Sequence, residues 1–272
     1  MAIQQEIFRR ARPWLGTLVE VAVCAPLALK QKQRQKQKPT HNCNDTTLQA
    51  VESAFSAIAR VDALMSFQSA TSELSHYNRL APGQWLAVSE HFMNVLTFSS
   101  GLSALTDGVF DVCCMGADWH ALALDHSGQK IGKLAPLTVD LSGVAKGYAV
   151  DCGVQALKAH GIESGWVNAG GDVCVFGALA LPLQVRSPTD VSQLYDCGTL
   201  HNAAAATSAS YLLSTPVLRQ GASRHPVHRP ASWTVRAPSC MVADALTKVL
   251  AASSQQHAAV FEHYGARSWI FD

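Results

Sequence analysis

No hydrophobic run in the 272-residue sequence approaches the ~18–20 residues of a membrane-spanning helix. The opening residues, MAIQQEIFRRARPWLG, hold neither an apolar leader core nor a small-residue cleavage site, so a cytoplasmic location is expected. An excess of one charge is also missing: 21 Lys and Arg face 20 Asp and Glu, for a net charge of +1. That balance excludes a nucleic-acid-sized basic field. The one basic concentration, KQKQRQKQK at residues 30–38, has no interleaved aromatics and reads as a solvated low-complexity surface loop. Cys-x-x-Cys is absent. Eight cysteines stand at 24, 43, 113, 114, 152, 174, 197 and 240, a scatter that suits small buried side chains better than a metal site or a disulfide framework. The dinucleotide pattern G-x-G-x-x-G, the P-loop pattern and the G-x-S-x-G nucleophile elbow are all missing. Eleven histidines form no metal spacing. In HPVH, Pro226 between His225 and His228 argues against a helical ligand face, and the stretch reads as a loop.

What is present suffices for a large core in one domain, residues 1–272: 48% of residues are hydrophobic and 15% charged. Trp14 to Cys24 alternates as a strand or hairpin arm, and Thr46 to Ala63 carries apolar residues at helical spacing. The segment MSFQSATSELSHYNRL reads as a polar loop anchored by Leu74 and Tyr77, and Phe92 to Leu105 as a second helix. Leu137 to Leu141 is a strand, a helix follows to about Ala159, and Gly161 closes it. Further strands are expected at Trp166 to Asn168, Val173 to Phe176, Leu183 to Arg186 and Trp233 to Ala237. Helices at Met241 to Leu250 and about Gln255 to Tyr264 precede a closing strand, RSWIF. Tight turns between strand pairs, with helices among them, predict an α+β fold with mixed or antiparallel sheets and packed helices. The order helix, loop, strand pair occurs in both halves, as an internal duplication would give.

Three stretches join glycine to a carboxylate: TDGVFDV (106–112), DLSGVAKGYAVD (140–151) and VNAGGDV (167–173). Ser142 and Gly143 at a helix start, with Lys146 in the first turn, suit a phosphate cradle, or equally an ordinary turn with a solvated lysine. Gly170-Gly171 suits an anion-binding turn or a type I′ hairpin. The helix MVADALTKVL buries one carboxylate, Asp244, in an apolar face, with Ser239 as its cap.

Taken in order, WLGTLVEV, LMSFQSATSELSHYN, TDGVFDV, VDLSGVAKGYAVD, VNAGGDVCVFG, AATSASY and APSCMVADALTKVL resemble the ApbE family of flavin transferases, the FAD:protein FMN transferases. The resemblance runs from about Pro13 to Leu250. It implies an α+β fold that binds FAD and Mg²⁺, cleaves the FAD diphosphate, passes FMN to a Thr or Ser hydroxyl of an acceptor flavoprotein and releases AMP. It further implies a metal held by Asp244, by a backbone oxygen near Gly143 and by a hydroxyl. FAD contacts carry over to Leu15, Phe67, Val109, Phe110, Asp111, Asp140 and Lys146. His225 or His228 falls in the segment that supplies a base, and Asp244 is catalytic through the metal.

Two departures stand out. The family's hydroxyl lies four residues after the acid, where this chain has Lys248; Thr247 lies three after it, and both offsets share Asp244's helix face. The His-x-x-Asp-Pro segment is reduced to SRHPVHRP. An active transferase, with Thr247 as third ligand, therefore competes with a non-catalytic FAD-binding or flavoprotein-assembly factor.

Overall fold

The structure is a computed structural model that describes residues 6–25, 43–190, 192–209, 217–220, 223–226, 231–252 and 257–272. The basic run at residues 30–38 and His228 lie outside the described residues. Strand β1 (Glu6–Trp14) turns into β2 (Thr17–Ala25) through Leu15 and Gly16, at φ +56° and +68°. Two consecutive left-handed residues give the tight hairpin turn whose twist matches its strands. Helix α1 (Cys43–Met65), the short α2 (Glu73–Asn78), β3 (Trp85–Ala87) and α3 (Glu90–Leu105) follow. Next come the short strands β4 (Cys113–Gly116), β5 (Leu122–Asp125), β6 (Lys130–Lys133) and β7 (Leu137–Val139). Helix α4 (Ala145–Ala159) leads to β8 (Gly165–Ala169), β9 (Asp172–Arg186) and β10 (Leu194–Ala209). A hairpin of β11 (Val217–Gln220) and β12 (Ser223–Pro226) precedes β13 (Ser232–Ala237), α5 (Cys240–Ala252), α6 (Ala258–His263) and β14 (Arg267–Phe271).

The fold is α+β. Its main sheet has seven strands in the order β1-β2-β8-β9-β10-β13-β14, every neighbouring pair antiparallel. Strand period two sorts side chains onto its faces. Val19, Val21 and Val23 join the large core beneath the helices, while Ala22 between them joins a smaller cluster opposite. Val167 and Trp166, Cys174 and Val175, and Ala204 and Ala203 divide in the same way. The large core also takes Phe55 and Ile58 of α1, Phe92 and Leu96 of α3, Val150 and Leu157 of α4, and Leu246 and Val249 of α5. Each fully buried side chain of this size contributes about 1.5–3 kcal/mol over exposure.

Several expectations are corrected. The polar stretch after α1 contains α2, whose start Ser72 caps by accepting from the Ser75 amide at 3.0 Å. One and a half turns are too short to show a period. The second helix begins at Glu90, capped by Ser89, which accepts from Phe92 at 3.2 Å. Val173–Phe176 and Leu183–Arg186 are two ends of a single strand, β9. Strand β10 has no sequence signal, because its AAAA run carries no alternation. His225 lies on β12 rather than in a loop: Ser223–Pro226 pairs with Val217–Gln220, with Leu218 opposite His225. Pro226, which has no N–H to give, is tolerated at the strand end. Cys24, Cys113, Cys114, Cys152, Cys174, Cys197 and Cys240 are free thiols, and Cys113, Cys174, Cys197 and Cys240 are buried.

Candidate functional site

Helices α4 and α5 meet at their N-termini and exchange carboxylates. Asp244 of α5 accepts the Gly147 amide of α4 on Oδ2 at 3.1 Å. Asp151 of α4 accepts the Cys240 and Met241 amides of α5 at 2.8 Å each. The first amides of a helix have no intrahelical acceptor, and the positive end of the dipole favours an acid there. So Asp244 is no cap of its own helix; it caps its neighbour, while Ser239 accepts from Val242 at 3.3 Å at the start of α5. The contact is close enough that a Cβ on Gly147 would sit 2.3 Å from the Cys240 carbonyl oxygen.

Burial pushes the Asp151 carboxyl up to about 6, against an ordinary value of 3.8, although its two amide donors pull the other way. The folded chain thus keeps a proton that the unfolded chain has already released. This contribution to stability is fully present below about pH 4 and is lost as pH rises through 6. Asp151→Asn cannot ionise. The stability of wild type relative to the variant is therefore expected to fall as pH rises from 4 through 6. Urea unfolding across that range checks it, and a relative stability that rises would contradict it.

Beside this junction stand two acid–lysine pairs. Lys146 Nζ lies 2.9 Å from Oδ2 of Asp172, which β8, β9 and the Gly170-Gly171 turn present. That turn has φ +62° and +103° and is the hairpin alternative of the two sequence readings. Lys248 Nζ lies 2.8 Å from Asp244 Oδ1, 2.8 Å from Ser208 Oγ, 3.0 Å from Thr247 Oγ1 and 3.4 Å from the Asp244 carbonyl oxygen. Thr247 Oγ1 donates to that same carbonyl at 2.7 Å and lies 2.8 Å from Ser208 Oγ. Asp172, Asp244 and Thr247 are buried. Burial, then the charge of Asp244, push Asp172 up to about 6 against the pull of the two lysines. Burial works against the charge of Lys146, but Asp172 and Asp244 outweigh it and hold its pKa above the ordinary value.

The residues expected in the site fall into three groups. Asp244, Thr247, Lys146 and Gly143 come together: a Cβ on Gly143 would touch the Lys248 stem at 3.4 Å. Leu15 and Asp140 are tied in through the backbone. The Leu15–Gly16 turn adjoins the Gly170 turn, where a Cβ on Gly170 would meet the Thr17 side chain. The Asp140 amide donates to Val112 at 2.8 Å, which brings Val109 and Asp111 near it in the chain. The ring of Phe110 is buried in the core, and Phe67 stands exposed after α1, with no described contact to the cluster. His225 lies on the β11–β12 hairpin. Asp172, Asp151 and Ser208 were missed as individual site residues. All three lie within stretches already quoted, Asp172 in VNAGGDV, Asp151 in DLSGVAKGYAVD and Ser208 in AATSASY, but none was singled out there by itself.

The divalent ion implied by the resemblance does not fit these residues. Both Asp244 oxygens are engaged, one by an ammonium and one by an amide, and the Thr247 hydroxyl is in contact with the same ammonium. Among the described residues, no group of three His, Cys, Asp or Glu is placed to hold a metal.

The model of the ApbE family matches residues 15–117 and 114–267, two consecutive stretches, as a chain of two related halves would. The chain belongs to the ApbE family. A relative from Vibrio cholerae serotype O1, the FAD:protein FMN transferase, is 26% identical over 232 residues, 70% of this chain and 69% of its own length. The Pseudomonas stutzeri flavinyl transferase ApbE superposes with a TM-score of 0.74 at 19% identity, covering 99% of this chain and 92% of its own. The ApbE protein of Thermotoga maritima gives 0.72 at 22% identity over 97% and 94%. The flavin transferase ApbE of Vibrio cholerae gives 0.73 at 22% over 98% and 93%. At these identities the solved ApbE structures establish a shared fold.

Proposed function

We propose that this chain is a transferase that takes FAD and passes FMN to a Thr or Ser hydroxyl of an acceptor flavoprotein, releasing AMP. The observation that carries the reading is the Lys146–Asp172–Asp244–Lys248 cluster, set against the Ser142–Gly143 turn at the start of α4. Moving a phosphoryl group depends on position and on charge neutralisation, and two ammonium groups supply positive charge there. Leu15, Val109, Asp111, Asp140 and Lys146 are the proposed FAD contacts; Phe67 joins them as an exposed aromatic, and Phe110 only by fixing the backbone of its segment. In the transfer, the acceptor oxygen bonds to the FMN phosphorus and the bond from that phosphorus to the bridging oxygen breaks. AMP leaves with that oxygen and its electron pair. The hydroxyl proton passes to a base, the role offered to His225 or His228.

Mg²⁺ on Gly143, Asp244 and Thr247 is the version of this reaction that would require Lys248 to leave. The occupied seat also favours a second reading, an assembly factor that binds FAD without turning it over. Incubating the chain with FAD and an acceptor flavoprotein, in Mg²⁺ and in EDTA, separates the readings. The expected result is in-gel flavin fluorescence on the acceptor with matching AMP release, both lost in Asp244→Ala. FAD binding without label or AMP in either medium supports the second reading, and no FAD binding at all sinks both.

No helix among the described residues is long and apolar enough to cross a membrane.

A further inference from the structure

We propose that Lys248 is a built-in cation that holds the seat a divalent ion would take beside Asp244, so that the site is metal-free. It would then receive the diphosphate of a dinucleotide on two ammonium groups, Lys146 and Lys248. The seat follows from the geometry alone; the ligand rests on the reading of the chain as an FAD-handling protein.

The oxygens around Lys248 Nζ are those a hard cation selects: a carboxylate oxygen and a hydroxyl at 2.8 Å, a second hydroxyl at 3.0 Å and a carbonyl at 3.4 Å. An ammonium has only three N–H groups, which these four oxygens share, so Lys248 is held in the seat without a further ligand. The spacing of Asp244 and Lys248, four residues apart on one helix, fixes this arrangement without any ligand. The seat also lies beside the Ser142–Gly143 turn, because the Lys248 stem runs against Gly143.

Charge reinforces the geometry. The two buried carboxylates, Asp172 and Asp244, are each matched by one lysine. A divalent ion entering with Lys248 in place would leave two uncompensated positive charges beside buried groups, a costly state. With Lys248 in place of a metal the cluster is neutral and already assembled. Neither lysine is sealed in: the side chains of Lys146 and Lys248 are 29% and 32% exposed, so each is open to solvent on one side. Lysine is a compact point charge well suited to phosphate.

Electron paramagnetic resonance of Mn²⁺ added to the full chain tests the seat without any flavin. Wild type is expected to leave the free-Mn²⁺ signal undiminished, whereas Lys248→Thr, which exchanges the ammonium for a hydroxyl, takes Mn²⁺ up stoichiometrically. Uptake by wild type that disappears in Asp244→Asn would overturn the proposal. Because that measurement needs no change at Lys248, it decides even where Lys248→Thr does not fold. Calorimetry with FAD reads the second half. Wild-type affinity is expected to agree within about twofold in EDTA and in Mg²⁺, and Lys248→Thr to bind about tenfold more weakly in EDTA and recover with Mg²⁺. Wild-type FAD binding that requires Mg²⁺ overturns the proposal. A chain that ignores both FAD and Mn²⁺ keeps the lysine seat and instead removes the flavin reading on which the ligand rests.

Discussion

Gly147→Ala is expected to destabilise the protein by about 3 kcal/mol, although alanine is the better helix former. A Cβ there would lie 2.3 Å from the Cys240 carbonyl oxygen, 2.7 Å from its carbon and 2.9 Å from the Asp244 Cβ. Two of these three atoms are backbone at the first residue of α5, so no rotamer change relieves the clash and the helices must separate. Overpacking of this kind typically costs about 1–3 kcal/mol, occasionally more. Separation also lengthens the bond from the Gly147 amide to Asp244, which at 3.1 Å stands near the upper end of the normal range. These losses exceed the roughly 1 kcal/mol that alanine gains over glycine within a helix. Gly101 in α3 supplies the control. It is exposed and has nothing within 4 Å of its Cβ position, so Gly101→Ala is expected to stabilise by about 0.5–1 kcal/mol. Urea unfolding of both variants checks the opposite signs. Equal effects would mean that the crossing of the helices is looser than the structure has it.

Asp244→Ala carries the other large effect, a loss of about 3–5 kcal/mol together with flavin transfer, because breaking a buried pair leaves its partner uncompensated. The side chain of Asp244 is 2% exposed and that of Lys248 32%, so water reaches the lysine and the lower end of the range applies. The substitution also leaves the Gly147 amide without its acceptor. A cycle with Lys248→Met separates the terms. Lys248→Met alone strands a buried carboxylate beside Asp172, whose own carboxyl the Asp244 charge already pushes up. Once Asp244 is gone, a methionine on the same stem costs little. The double variant is therefore expected to be more stable than the sum of the singles predicts, by about 1–3 kcal/mol. Additivity within about 0.5 kcal/mol would show that the pair contributes nothing beyond its separate burial.

Helices α1, α3, α4 and α5 were legible in the chain because each repeats apolar residues over at least three turns, and RSWIF was legible as β14 because a short β-rich run closes on aromatic residues. Strand β10 was not legible. Nothing in LYDCGTLHNAAAATSA alternates; β9 on one side and β13 on the other make it a strand. Within the site, Asp244 was visible as the one acid on an apolar helix face, with Thr247 and Lys248 beside it, but its partners outside the helix were not. Gly147 is 97 residues away, and Ser208 is a small residue like its neighbours. The open choice between Thr247 and Lys248 arose because both offsets fall on one face. Both side chains do in fact reach the same spot, and the lysine's length lets its ammonium lie between the threonine hydroxyl and the carboxylate.

The exchange of carboxylates between α4 and α5 also bears on how the protein comes into being. The bonds that tie the two N-termini together span 89, 90 and 97 residues. Contacts this far apart in sequence form late, after the loop entropy between them has been spent. On a ribosome, α4 and its glycine turn emerge long before α5, with Asp151 still lacking the two α5 amides that it accepts. The junction is therefore completed only after α5 has emerged. A chain that stops short of Lys248 ends without its second acid–lysine pair, which leaves Asp244 without its counter-charge.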